Sequence, residues 1–417
     1  MTSSNNSTQR KEILLHEECY LLDLLAAFVC EQKAPTPSKT LDDNLFLNVA
    51  RSQLVSQIAA YMALQQPDLF TRALSASLVA DLQRAVGVEA RQTAEFSAVN
   101  NAFQESCIPY MPLKGFVMRE YYPEPYLRLM GDYDVLVDQA ALDRAVETLK
   151  AQGYQEQHDS SHHIVFWKGS EFCVELHYNL TDSAAVAYDD VSWETLVLNR
   201  GTEFRFTNED FYRFMQEHLL KHWVVGEGTV RFFLDVAIYL RKFGAELDRT
   251  KLEREFERYG ELGFVRNVER LQDVWFHGAP SDDVLDEMTL FTFRRHTLNE
   301  PQKKDRSTKY ATQLALKSPD GQTSFSRLRY LLANVFPRSA DNVIRRELEK
   351  TPAILKPIGY AALWLKFSVK RLLRKSFFTN VLSFLRVKKS DAVEARAFHR
   401  RIGLDLSKFN PNGLDSD

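Results

Sequence analysis

Gly131-Asp132-Tyr133-Asp134-Val135-Leu136-Val137 sets two aspartates, one residue apart, at the head of an apolar run. In an extended strand successive side chains alternate between faces. Asp132 and Asp134 therefore share one face, while Tyr133, Val135 and Val137 take the other. Two carboxylates held that close repel and raise each other's pKa unless a cation lies between them. Hard oxygen donors of this kind suit Mg2+ or Mn2+.

On both sides of this stretch, from Ile108 to about Leu180, short strand-like runs surround one helix. The runs are Tyr110 to Leu113, Asp132 to Val137, Ile164 to Trp167 and Phe172 to His177, and the helix is Ala140 to Gln152 with Gly153 closing it. Lys168-Gly169-Ser170 has the composition of a hairpin turn, which makes the last two runs antiparallel. In Val174-Glu175-Leu176-His177-Tyr178, alternation puts Glu175 and His177 on one face, so Glu175 completes a three-carboxylate site. Such a site can hold two metal ions for an in-line displacement at a nucleotide α-phosphate. Upstream, Leu113-Lys114-Gly115 follows a strand and opens the short helical stretch Phe116 to Tyr121. A glycine there lets backbone N–H groups approach a triphosphate, and Lys114 adds positive charge. Arg128 is placed to contact phosphate or to pair with the carboxylates.

The order Leu-Lys-Gly, Tyr-Pro, Arg-x-x-Gly-Asp-x-Asp-x-Leu-Val, then Val-Glu-Leu-His resembles a little-characterised bacterial nucleotidyltransferase family of the DNA-polymerase-beta-like superfamily. The likeness is best over Pro112 to Leu180 and weaker over His218 to Asp235 (Glu-His-x-x-Lys-His-Trp, then Arg-Phe-Phe-Leu-Asp). It implies a phosphate-loop role for Lys114 and Gly115, a metal-binding pair in Asp132 and Asp134, and a third carboxylate in Glu175. His177, Arg128 and His163 become neighbours of the site, with Arg128 and His177 counted among the nucleotide-binding residues. Better-known superfamily members carry Gly-Ser or Gly-Gly closer to the Asp pair, whereas here Tyr-Pro-Glu-Pro intervenes between Lys-Gly and the aspartates.

The flanks read as helix. Apolar residues from Glu12 to Ser106 recur at helical spacing, broken by the Pro35–Ser38 loop, and Thr207-Asn208-Glu209-Asp210 starts a helix over Phe211 to Trp223. Another helix spans Val230 to Phe243, and Asp235 within its apolar face needs an Arg or His partner. His218 and His222 sit one helical turn apart, a zinc-compatible spacing without the catalytic Glu after the first His, so a helix face over the nucleotide cleft is the preferred reading. The expected fold class is α+β, a small mixed-sheet polymerase-beta-like core between helical segments. The expected partition is 1–106 helical, 107–205 nucleotidyltransferase core, 206–300 helical and covering the cleft, and 301–417 basic and helical with a polar tail.

At 417 residues, 45% hydrophobic and 26% charged with a net charge of −3, the chain has the composition of a globular protein of several domains, not of a nucleic-acid-wrapping or disordered one. Cys19, Cys30, Cys107 and Cys173 lack metal or disulfide spacing, which suits free thiols in the cytoplasm. Neither a secretory signal nor an apolar run long enough to span a membrane is present. Basic residues interleaved with Leu, Trp and Phe over 338–389 allow contact with a membrane surface or a polyanion. The expected activity is Mg2+- or Mn2+-dependent transfer of a nucleoside monophosphate from an NTP to a hydroxyl of an unknown acceptor, small molecule, protein or RNA, with release of pyrophosphate. Two other classes are a catalytically silent nucleotide-binding scaffold, peripheral to a membrane through the basic C-terminal helix, and a metal-dependent hydrolase or nuclease.

Overall fold

The structure is a computed structural model that describes residues 13–159, 163–180, 192–294, 348, 352, 355–372 and 387–408. Four helices lead in: α1 (His16–Val29), α2 (Asp43–Ser52), α3 (Ser56–Gln65) and the long α4 (Arg72–Glu105). The starts of α2 and α4 are fixed by side-chain caps, Asp42 accepting from Leu45 N at 3.0 Å and Thr71 from Leu74 N at 3.1 Å. The Pro35–Ser38 stretch lies in the loop between α1 and α2, as its prolines require.

Helix α4 joins two cores. Its first half buries Leu74, Leu78 and Leu82 among the helices, and its second half buries Phe96, Val99 and Phe103 against a sheet. The strands are β1 (Tyr110–Pro112), β2 (Tyr133–Val137), β3 (Gln155–Asp159), β4 (His163–Lys168), β5 (Phe172–His177), β6 (Val197–Arg200) and β7 (Glu203–Arg205). They form a seven-stranded mixed sheet in the order β3-β4-β5-β2-β1-β7-β6 among the described residues. Between β1 and β2 come the short helix α5 (Lys114–Met118) and two 3-10 turns; α6 (Leu142–Ala151) follows β2.

Period-two alternation sorts the two faces of the sheet. Tyr133, Val135, Val137, Ile164, Phe166, Val174 and Leu176 pack with α4 and with Ala145, Val146 and Leu149 of α6. The opposite face turns Met111, Leu113 and Leu136 into the helical core. The expected hairpin is present, with β4 and β5 antiparallel and Gly169 at φ +63 in the turn. The helix expected over Ala140 to Gln152 begins instead as a 3-10 turn at Gln139, because Asp138 accepts from Ala140 N at 2.8 Å and caps that turn. Gly153 closes it at φ +90.

After the sheet come α7 (Asn208–Val224), capped by Thr207 as its sequence predicts, and α8 (Val230–Phe243). Then follow α9 (Arg249–Tyr259), α10 (Leu262–Phe276), α11 (Asp283–Arg294), α12 (Lys356–Leu372) and α13 (Lys389–Arg401). Leu21 and Leu25 of α1, Phe233 of α8, Trp275 of α10 and Phe398 of α13 belong to one hydrophobic core, so helices from both ends of the chain close over the same interior. All four cysteines are free thiols. No described helix is long and apolar enough to cross a membrane. The basic stretch 338–389 lies largely outside the described residues.

Candidate active site

The chemistry-bearing residues gather where β2 and β5 run side by side and parallel, in a register that sets Asp134 opposite Glu175 and Leu136 opposite His177. On the other side of β5, His163 of β4 stands opposite His177. Asp134, Glu175, His177 and His163 thus come to one sheet face by strand alternation alone. Asp132 lies one residue ahead of β2, which begins at Tyr133, and is half-buried, whereas Asp134 is fully buried.

Lys114 occupies the sharp turn out of β1 with φ +44, a left-handed conformation that a non-glycine residue adopts only when its surroundings hold it there. Leu113 N donates to Asp134 O at 2.9 Å, tying this turn to β2. Lys114 Nζ donates to Asp134 Oδ1 at 2.6 Å, and His177 Nε2 lies 3.0 Å from the same oxygen. His177 Nε2 is also 3.6 Å from Glu175 Oε2. Burial opposes ionisation of Asp134, but Lys114 and His177 outweigh it and hold that carboxyl far below the ordinary range. Burial likewise works against charge on His177, yet its contacts with Asp134 and Glu175 raise it to about 9 in the metal-free protein. Asp132 goes the other way, pushed up to about 7 by the neighbouring Asp134 charge and then by burial.

Gly115 is fully enclosed. A Cβ there would stand 2.3 Å from Arg128 Nη1 and 3.0 Å from Met130 Cγ, so no side chain fits under the Arg128 guanidinium. Arg128 reaches across to α8, donating from Nη2 to Asp235 Oδ2 at 3.0 Å, and Tyr122 OH donates to Asp235 Oδ1 at 2.7 Å. Burial disfavours the Arg128 charge, but Asp235 more than offsets it and raises the pKa. The carboxylate expected to need a partner therefore has Arg128. The loop that carries Arg128 and leads to Asp132 is bracketed by buried amides and a guanidinium. Gln57 of α3 donates to Leu127 O at 2.8 Å, Gln92 of α4 to Met130 O at 3.0 Å and Arg119 Nε to Arg128 O at 3.0 Å.

Helix α7 faces the same site. His218 feels the fields of Lys114 and Asp134, and burial drives its pKa well below the ordinary value, with His222 adding to the shift. His218 and His222 pack against each other and against Phe232, with centroids 4.6, 5.4 and 5.6 Å apart. The metal-competent group among the described residues is a different one: His163, Glu175 and His177 offer ligand atoms all within 4.8 Å of one another. With Asp132 and Asp134 beside it, this donor set of carboxylates and imidazoles fits a divalent cation, whose charge would relieve the repulsion that raises Asp132.

Sequence reasoning brought Asp132, Asp134, Glu175, His177, Lys114, Gly115 and Arg128 forward, and the structure gathers them around β2, β5 and the Lys114 turn. It quoted Tyr122 and Arg231 within its motifs without giving them a role, and it missed the bracketing Gln57 and Gln92. Arg231 stands one helical turn before Asp235 in the Arg-Phe-Phe-Leu-Asp run, and that spacing was the available signal.

A sequence model of a family described as uncharacterised nucleotidyltransferase matches residues 39–277, more than half of the chain and all of the site described above. No curated protein and no solved structure matches.

Proposed function

The chain belongs to this uncharacterised nucleotidyltransferase family, and on that premise we propose that it moves a nucleoside monophosphate from an NTP to a hydroxyl of an acceptor. The observation that carries this reading is the register that places Glu175 beside Asp134 on adjacent parallel strands, with Asp132 one residue ahead of the strand. In the reaction the acceptor oxygen bonds to the α-phosphorus and gives up its proton to water, the bond from that phosphorus to the oxygen bridging to the β-phosphate breaks, and pyrophosphate leaves with the electron pair. Mg2+ or Mn2+ held by Asp132, Asp134 and Glu175 would supply the positive charge that this displacement needs. Lys114 and Arg128 add fixed positive charge beside the carboxylates, and His177, 3.0 Å from Asp134 and 3.6 Å from Glu175, helps to hold their orientation. Gly115 keeps the Lys114 turn close under Arg128. The helices of the 206–300 segment are proposed to cover the cleft and shape the acceptor side.

A second reading, a nucleotide-binding module without turnover, draws on a specific contact. Lys114 and His177 both engage Asp134 Oδ1 and supply fixed positive charge at that oxygen. In this reading α12, which exposes Ile358, Leu365 and Val369 along one side, would serve as a membrane-surface contact.

Incubating wild type and Asp132→Ala/Asp134→Ala protein with each α-labelled NTP, Mg2+ and cell extract separates the two. Label that enters protein, RNA or small molecules only with the aspartates intact supports transfer and gives the acceptor class. Label that enters equally in the double variant refutes the site, and nucleotide binding without label favours the silent module.

A further inference from the structure

Arg231, in the first turn of α8, keeps its guanidinium inside the protein, with 12% of its side chain exposed. Neither its Nε nor its Nη1 has a hydrogen-bond partner among the described residues. Nη1 lies 3.5 Å from Asp235 Oδ2 without hydrogen-bond geometry, and that carboxylate already accepts from Arg128 and Tyr122. Two guanidinium groups thus face one carboxylate. Buried donors without acceptors are costly and rare in native proteins. The fold itself resists this arrangement: burial and the adjacent Arg128 charge lower the Arg231 pKa to about 10. A side chain that burdens the ligand-free fold in this way is explained by a ligand that brings acceptors and negative charge.

The location selects the ligand. Asp132 is the next acid whose field reaches Arg231, and Arg128, beside it, presses Nη1 against Gly115 in the Lys114 turn. Around Arg231 stand Arg128, Asp235, Tyr122 and Asp132, with the Phe232 ring 4.8 Å away. An anion seated here is next to the carboxylates that would hold the cation and to the turn proposed to take phosphate. A polyphosphate has the negative charge and the non-bridging oxygens to meet that guanidinium where it reaches the surface.

We propose that Arg231 and Arg128 form a subsite for the outer phosphates of a nucleoside triphosphate, with the guanidinium of Arg231, whose side chain stays 12% exposed, supplying positive charge to them. The inference rests on the nucleotidyl-transfer reading for its choice of anion. It makes Arg231 a binding residue that releases its hold when pyrophosphate departs.

The test is calorimetric titration of the full chain and its Arg231→Gln and Arg231→Lys variants with inorganic tripolyphosphate, α,β-methylene ATP, AMP and inorganic phosphate, each with Mg2+. Arg231→Gln is expected to weaken tripolyphosphate and α,β-methylene ATP by about tenfold or more, the scale of losing a charge-assisted hydrogen-bond pair, and to leave AMP unchanged. Arg231→Lys should recover part of the loss. The thermal midpoint of the ligand-free Gln variant should equal or exceed that of wild type, which a structural arginine would not allow. Wild-type affinity of the Gln variant for tripolyphosphate overturns the proposal, as does an equal loss for AMP. A loss confined to inorganic phosphate also overturns it, assigning Arg231 to a phosphorylated acceptor. A protein that binds tripolyphosphate through Arg231 but never labels an acceptor refutes transfer and leaves the subsite standing. A working transferase with an unaffected Gln variant does the reverse.

Discussion

Asp235→Ala should destabilise the protein by about 3–5 kcal/mol, the range for removing one partner of a buried ion pair. The exposed-pair figure of about 0–1 kcal/mol does not apply, because the Arg128 and Asp235 side chains are only 7% and 6% exposed. The alanine strands Arg128 Nη2, which now donates at 3.0 Å, Arg128 Nε at 3.5 Å and Tyr122 OH at 2.7 Å, and it takes away the carboxylate nearest Arg231. Against a typical total of about 5–15 kcal/mol this is a large fraction, so urea unfolding curves should show a marked fall in midpoint. Removing both charges should be far milder, since an apolar pair of similar volume is commonly neutral or stabilising. Because Arg231 and Tyr122 still lose Asp235, Arg128→Met/Asp235→Leu is expected to regain part of the loss. The pair also ties α8 to the loop ahead of Asp132, so the single variant should bind NTP weakly even where it is still folded. A loss under about 1 kcal/mol for Asp235→Ala, or a double variant no more stable than the single one, would refute the reasoning.

Gly115→Ala places a methyl 2.3 Å from Arg128 Nη1, and overpacking of this kind should cost about 1–3 kcal/mol; an unchanged thermal midpoint would show that Arg128 swings aside freely. In metal-free protein, stability should fall with rising pH in two stages. Asp132, raised to about 7, binds its proton more tightly in the folded state, so its contribution is present at acid pH and is lost as pH climbs from the ordinary carboxylate range through 7. His177, raised to about 9, adds stability that is complete below the ordinary imidazole range and lost as pH passes 9. Urea midpoints across this range check both stages: His177→Gln should erase the upper one, saturating Mn2+ should suppress the lower one, and a wild-type midpoint that does not change with pH would contradict both. The Asp132→Ala/Asp134→Ala protein should lose label transfer by roughly a hundredfold or more, on the scale of a lost charged contact to the transition state, and single-turnover assays measure it.

The centre of the site was legible because its signal is local. Asp134, Glu175 and His177 each sit among alternating apolar residues, and alternation alone assigns their face. Asp132 needed more, since it stands just outside β2, where alternation no longer fixes a direction. Strand β3, Gln-Glu-Gln-His-Asp, carries no apolar alternation; among the described residues it is an edge strand paired only with β4, and its residues could as well have formed a loop. Strands β6 and β7 were missed for a related reason, since β6 is exposed along its whole length at the other edge. Asp235 announced its need for a cation, but its partner Arg128 is 107 residues away in sequence and only the tertiary structure supplies it. The brackets Gln57 and Gln92 look like ordinary helix-surface amides until the loop they hold is in place.

The distribution of charge across the site links these observations to the proposed chemistry. The carboxylates Asp134 and Glu175 come from the sheet, with Asp132 just ahead of β2, whereas Lys114, Arg128 and Arg231 come from the turn, the loop and a helix beside it. A polyanionic substrate with a divalent cation suits such a division, because the cation can take the sheet side and the phosphates the side of the basic residues. The two sides are coupled mechanically as well as electrostatically. Arg128 touches Gly115 of the turn and bonds Asp235 of α8, so moving that helix moves the roof over the Lys114 turn and the loop that delivers Asp132. On the proposed reading, selection among acceptors would fall to the helices, α7 and α8 above all, which can change their outer surfaces without disturbing the register of β2 and β5 that holds the carboxylates.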